Sequence, residues 1–295
     1  MMDAGMRADA KRLCLADGPH TREIIEHMQG WQKREPWFYS KWIFNKYTYA
    51  LLSAAVLCAV GFSITAFPVH TNVLAFVVGY FLSQFIFGWG HMTTHALYLE
   101  TPTEKWEPGV LVAYLHHYSH PKEIYKNWLV HRLNFVMQAK GCRVAYFAVW
   151  FLPVLFFGVK LLPLWIWYLF WFSAIEPVHE YYHVPKNERR AHFSLPLYLG
   201  LRLLDVSGLL DEETHKEHHR HNRDQLGTVS KFYDLYCPFA DTLFDSFWKT
   251  AIHCREKLEA RGEEEPIRAA LFALGSIIVP TTFFVSCFVF NWMVG

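Results

Sequence analysis

VLAFVVGYFLSQFIFGWGHMTTH, residues 73–95, runs for eighteen positions without a charge and then places two histidines four apart. An uncharged run of that length approaches the ~20 residues that a helix needs to cross a ~30 Å hydrocarbon core. Just upstream, Tyr49–Pro68 is a second uncharged run, and only a short polar link around His70, Thr71 and Asn72 separates the two. The pair reads as a transmembrane hairpin. Val144–Val159 and Leu161–Ile175 repeat the arrangement around Lys160, each short for a full span unless its helix extends into the flanking residues. Ala269–Val294 is a final apolar run with Pro280 inside it, where a kink is expected.

Composition agrees with the runs. At 53% hydrophobic and 18% aromatic, the 295 residues suit a membrane chain better than a soluble one. The expected fold is an all-α integral membrane protein. It has two transmembrane helical hairpins, a C-terminal transmembrane helix and a cytosolic histidine-rich helical cap. The expected divisions are an N-terminal segment, 1–46, a membrane domain, 47–250, a charged linker, 251–266, and the C-terminal helix, 267–295.

Basic residues set the orientation. Eight fall in 1–46, six in 91–143 and twelve in 176–266, whereas Lys160 stands alone in the short turns. By the positive-inside rule the N-terminus and both long polar segments face the cytosol, and the C-terminus the other side. No basic-then-apolar leader with a small-residue cleavage site precedes Tyr49, so that segment is expected to act as an uncleaved anchor. The six cysteines form no CxxC pair, which argues against a disulfide framework or a thiolate zinc site. A net charge of +1 without a basic stripe gives no support for nucleic-acid binding.

The histidines repeat with the hairpins. His91 and His95 follow the second apolar run, and His179 and His183 follow the fourth. Each pair is followed by a cluster, HHYSH (His116, His117, His120) after the first and HKEHHRH (His215, His218, His219, His221) after the second. Eleven of the 17 histidines lie in these four groups. Residues four apart share one helix face, so each HxxxH aims two imidazoles the same way, and His215, His218 and His219 have the i, i+3, i+4 spacing of a single face. One HxxxH alone is more often an incidental polar pair, and one histidine-rich tract more often a surface helix. Four in this order, each pair closing a hairpin, point to a metal site. His131 and His192 read as surface or interfacial residues.

Neutral imidazole without thiolate suits iron, zinc, copper or nickel. Eight to eleven histidines exceed the four ligands of one tetrahedral zinc, so two metals is the economical count. Iron is preferred because a nitrogen-ligated centre with an open position can activate oxygen, and zinc is the lesser candidate. The leading ligands are His91, His95, His117, His179, His183, His215, His218 and His219, with His116 and His120 next and His221 last. Glu176, Glu180, Asp211, Glu213, Glu217, Asn222 and Asp241 are near enough in sequence to hold the far ring nitrogens, although any one of them is more often a solvated charge. Trp165, Trp167, Trp171, Tyr181 and Tyr182 are read either as lining for an acyl chain or as interfacial belt residues.

These clusters resemble the histidine boxes of the integral-membrane desaturases and hydroxylases, and more narrowly the Kua-type lipid desaturases. His91, then His116 and His117 followed by Pro121 and Ile124, match that family's first half. His179 and His183, the Leu195-Pro196 step, and His215, His218 and His219 match its second. His95 stands where that family commonly has aspartate, Thr214 where it has the first histidine of HHxxHH, and His120 in an inserted position. The resemblance covers about residues 45–250. HKEHH with Asn222, Gly227 and DTLF (241–244) is also similar to the fatty acid hydroxylase and sterol desaturase group. Both resemblances imply two irons, molecular oxygen as co-substrate and oxidation of a membrane lipid, and they differ in forming an alkene or an alcohol. His120-Pro121 continues as Lys122-Glu123 rather than as a fused cytochrome b5 motif, so the resemblance implies an external donor such as cytochrome b5 or ferredoxin. It implies an endoplasmic reticulum membrane in a eukaryote and an inner membrane otherwise.

Two other classes compete. A metal-handling membrane protein should carry ionisable residues along its spans, and the apolar runs show almost none. A haem electron carrier needs axial histidines on facing helices, which clusters at the membrane edge suit less well.

Overall fold

The computed structural model describes residues 22, 26, 46–100, 158–210, 212, 213, 215 and 238–295, and among these every regular element is a helix. They are α1 (Lys46–Ala66), α2 (Val69–Glu100), a 3-10 turn (Val159–Leu161), α3 (Leu162–His183), α4 (Arg189–His192), α5 (Leu195–Val206), α6 (Pro238–Glu259) and α7 (Pro266–Val294). Three stretches are long and apolar enough to cross a membrane: Val69–Thr93, Val159–His183 and Pro266–Val294. α1 adds a shorter apolar stretch, Ala54–Ala66. The run that looked short at Ile175 gains its length because α3 continues through Pro177 to His183. Of its expected partner, Val144–Val159, all but Gly158 and Val159 lies outside the described residues.

The α1–α2 hairpin is closed by one buried amide. Asn72 Nδ2 donates to the Ser63 carbonyl at 3.0 Å and the Phe67 carbonyl at 3.1 Å. Asn72 Oδ1 accepts from Ser63 Oγ at 2.7 Å and from Trp167 Nε1 of α3 at 3.0 Å. Away from water these polar groups need partners, and Asn72 supplies them at the turn. The same residue therefore fixes α3 to the hairpin.

α2 and α3 run in the same direction. Trp167 reaches Asn72, and one turn farther on Trp171 Nε1 donates to the Phe76 carbonyl at 3.0 Å. Phe76 meets both indoles, with ring centroids 5.1 and 4.8 Å apart, and Tyr80 meets Trp171 at 5.1 Å. Trp167 and Trp171 thus fasten two helices together. The two backbones come close at Gly79, where a Cβ would lie 2.8 Å from the Tyr168 backbone nitrogen. Only glycine allows backbones so near, the device that small residues provide in membrane helix packing.

α7 runs opposite to α2. Gly275 faces the Trp89 indole, and farther up α2 the Glu100 carboxylate accepts from the backbone N–H groups of Ile267 at 2.7 Å and Arg268 at 2.9 Å. Pro266 opens α7 and has no N–H, so Glu100 satisfies the next two donors that a helix start leaves open. α7 continues through Pro280 and exposes Phe272, Ile277, Phe284, Phe288 and Trp292, an apolar surface suited to lipid.

The boundary expected at 250 falls inside α6. Residues 251–259, read as charged linker, are helical because Phe244, Trp248 and Ala251 recur at i, i+4 and i+7 and bury one stripe. The charges lie on the other side, where Arg255 pairs with Glu259 at 2.6 Å. The turn to α7 passes Gly262, whose φ of 84° lies in the left-handed region that favours glycine.

Candidate metal centre

Both HxxxH pairs lie toward the C-terminal ends of parallel helices. His91 is twelve residues beyond Gly79, and His179 eleven beyond Tyr168. At ~1.5 Å per residue both lie about 17 Å past the contact of Gly79 with Tyr168. The pairs therefore share a height, at the end of the bundle where Glu100 meets the start of α7.

α3 ends just after its second histidine. Pro185 disfavours the helical conformation in the residue before it, and Val184 is extended, with φ −78° and ψ 127°. Leu195-Pro196 then opens α5, with proline where its missing N–H costs nothing. α5 closes in a Schellman turn: Leu209 N–H donates to the Leu204 carbonyl, and Gly208 N–H to the Asp205 carbonyl, both at 3.1 Å. Gly208 carries the left-handed φ of 73° that this turn requires. The reversed chain brings Glu212 and His215 back onto α3.

There, three imidazoles converge. The candidate ligand atoms of His179, His183 and His215 all lie within 4.8 Å of one another. His183 Nε2 and His215 Nε2 are 3.0 Å apart. The ring of His215 stands nearly perpendicular to those of His179 and His183, at 86° and 89°, so the rings meet edge to face rather than stack. Tyr182 packs its ring against His215 at 5.2 Å. His179 and His215 are buried and His183 half-buried.

The α2 histidines form a second group. His91 Nε2 and His95 Nε2 lie 3.1 Å apart, with His95 wholly buried. Among the described residues this pair does not join the other three in one close set of ligand atoms.

The donor set could hold a metal ion. With metal–nitrogen bonds of ~2.0–2.1 Å, adjacent ligands between right-angle and tetrahedral geometry place their nitrogens roughly 2.9–3.4 Å apart. Separations of 3.0 and 3.1 Å fall in that range. An N–H···N hydrogen bond between neutral rings has the same length and would account for either pair alone. His179 joins His183 and His215 because it lies one turn before His183 on the same helix face, and all three ligand atoms lie within 4.8 Å of one another. Three imidazoles without thiolate suit iron, zinc, copper or nickel.

Of the ten histidines expected as ligands, the structure brings together His179, His183 and His215, and separately His91 and His95. His116, His117, His120, His218 and His219 lie outside the described residues, as do His131 and His221. Glu180, near enough in sequence to hold a ligand ring though more often a solvated charge at such a place, meets His192 Nε2 through its Oε1 at 2.6 Å. Tyr181 lies beneath Arg189 and donates its hydroxyl to Asp205 Oδ2 at 3.0 Å. Arg189 and Glu212, which sequence reasoning passed over, join at 2.8 Å beside the three histidines. The signal for Arg189 was faint, since Arg190 follows it at once and only Arg189 is buried.

No protein-family model matches the chain, and neither a curated protein nor a solved structure matches it.

Proposed function

We propose that the protein is an integral-membrane di-iron oxidoreductase that desaturates an alkyl or acyl chain of a membrane lipid, with molecular oxygen as co-substrate. The observation that carries this reading is the convergence of His179, His183 and His215 at the height of His91 and His95, at one end of membrane-length helices. The histidines outside the described residues, His116, His117, His120, His218 and His219, complete the donor set in this proposal. Iron held there would supply oxygen activation.

The chain's own residues do the rest. Neutral imidazoles offer ring nitrogens as donors, so the ligands must hold no proton on the nitrogen that binds. Burial of His95, His179 and His215 keeps bulk water from those nitrogens. The apolar outer surface of α7 holds the assembly in the bilayer, where the lipid chains are.

The reaction balances as follows. Two C–H bonds on adjacent carbons break, yielding two electrons and two protons as the double bond forms. An external one-electron carrier such as cytochrome b5 or ferredoxin supplies two more electrons in two transfers, and solvent supplies two protons. Together they reduce one O2 to two waters. The histidine clusters face the cytosol in this proposal, where such a donor is reached.

The test is elemental analysis of detergent-purified protein, followed by incubation with lipid vesicles, reductant, donor protein and oxygen. About two irons per chain, the count a dinuclear site needs, and lipid lighter by two hydrogens are the expected results. Lipid heavier by one oxygen would make the protein a hydroxylase. Two zincs, or no metal retained through dialysis, would overturn the oxidase reading.

A further inference from the structure

We propose that Arg189 and Glu212 form a positioning ion pair that seats His215 against His179 and His183, an inference that rests on the metal-site reading. His215 follows His183 by 32 residues and has no helical register with it. Something must hold the returning chain to the end of α3.

The buried guanidinium of Arg189 holds both sides of that return. Its Nε donates to the carbonyl of Val184, the residue next to His183, at 3.0 Å. Its Nη2 donates to Glu212 Oε2 at 2.8 Å, three residues before His215. Its flat face lies 3.9 Å from the centroid of the Tyr181 ring, two residues before His183. Tyr181 is in turn tied through its hydroxyl to Asp205, at the end of α5 just before the turn that returns the chain.

The pair is not a surface decoration. Arg189 is 3% exposed and Glu212 15%, so each charge is largely withdrawn from water and leaving either alone is costly. Lys186 also approaches Glu212, at 3.8 Å, but it is 76% exposed and too distant to replace the fork. Lysine at 189 would be a point charge on a flexible stem, unable to hold Val184, Glu212 and the Tyr181 face at once. Arginine is required by shape as well as by charge.

Two readouts on the full-length, detergent-solubilised chain test this. One is cobalt(II) affinity, with the visible spectrum of the bound ion. The other needs no metal: the yield of cross-linking by a short bis-maleimide, which spans the room the two rings leave, between cysteines in a His183→Cys/His215→Cys background, read by mass spectrometry of the linked peptide. Arg189→Met and Glu212→Ala should weaken cobalt binding about 10- to 100-fold, as loss of a group that orients a ligand does. They should also lower the cross-link yield several-fold. Glu212→Gln, which keeps an oxygen for Arg189, should restore part of both. A merely structural fastening would lower the unfolding temperature of all three variants and leave the cobalt spectrum and the cross-link yield at 20 °C unchanged, which would overturn the proposal. If the parent chain binds no cobalt, the metal reading falls. Cross-linking still decides the positioning: a yield unchanged by Arg189→Met rejects it, and a reduced yield supports it.

Discussion

His183 Nε2 and His215 Nε2 lie 3.0 Å apart although 32 residues separate them, and His179 closes the group from the preceding turn of α3. Removing any one ring leaves two donors where three converge. His183→Ala and His215→Ala should each weaken metal binding at this group at least tenfold, an effect at least as large as loss of a group that only orients a ligand. If the proposed function holds, both should abolish lipid oxidation. Membrane insertion should persist, because the spans keep their apolar length without either ring. Metal content, product analysis and carbonate extraction of the same membranes check the three statements, and retained activity in both variants would sink the assignment.

Gly79 sets the spacing of the two helices that carry the HxxxH pairs. A Cβ there would meet backbone, the Tyr168 nitrogen at 2.8 Å and the Trp167 carbonyl carbon at 3.0 Å, and backbone cannot swing aside as a side-chain tip can. Gly79→Ala should cost about 1–3 kcal/mol, as overpacking does. Gly61→Ala is the control, since nothing lies within 4 Å of its Cβ position. Thermal unfolding in one detergent should separate the two, and a Gly79→Ala protein as stable as Gly61→Ala would contradict the close approach.

Asn72 joins Ser63, the α1–α2 turn and Trp167. Asn72→Leu keeps the volume and strands Ser63 Oγ and Trp167 Nε1 in an apolar setting. Each stranded group costs about 1–3 kcal/mol. Replacing Trp167 by Phe in the same chain should recover part of the loss, since the donor left without its acceptor is then gone. A double variant no more stable than Asn72→Leu would show that the indole bond contributes little.

The spans were legible because a bilayer demands a length and an absence of charge, and both are countable in 73–90 and 269–294. The HxxxH pairs were legible because i and i+4 share a helix face. The meeting of His215 with α3 was not. It depends on a Schellman turn at Gly208 and on Arg189, whose neighbour Arg190 looks the same in sequence and is exposed. Residues 251–259 misled in the opposite way: their density of charge suggested a linker, while the stripe Phe244, Trp248, Ala251 was already helical in its spacing. Charge reports which face meets water, and periodicity reports the element.

Glu100 gives the chain a pH dependence of calculable sign. Burial, the largest influence, raises its carboxyl above the ordinary 4.5, and the N–H groups of Arg268 and Ile267 pull partly back. A carboxyl whose folded pKa is raised holds its proton more tightly folded than unfolded. Its contribution to stability is complete below the unfolded pKa and is lost as pH rises through the folded pKa. Glu100's share of folding stability, read as the difference between the parent and Glu100→Gln, should therefore decline across the window that opens near pH 4.5 and ends just above the raised value. Glu100→Gln, which has no proton to lose and keeps one acceptor for α7, should abolish that decline. Glu100→Ala should abolish it too and cost about 0.5–2 kcal/mol at every pH, the scale of a lost helix cap. Denaturant titrations of the three proteins at closely spaced pH values from 4 to 7 distinguish these outcomes. A parent protein that gained stability relative to Glu100→Gln through that window would mean that the two N–H donors outweigh burial and that Glu100 folds as a carboxylate.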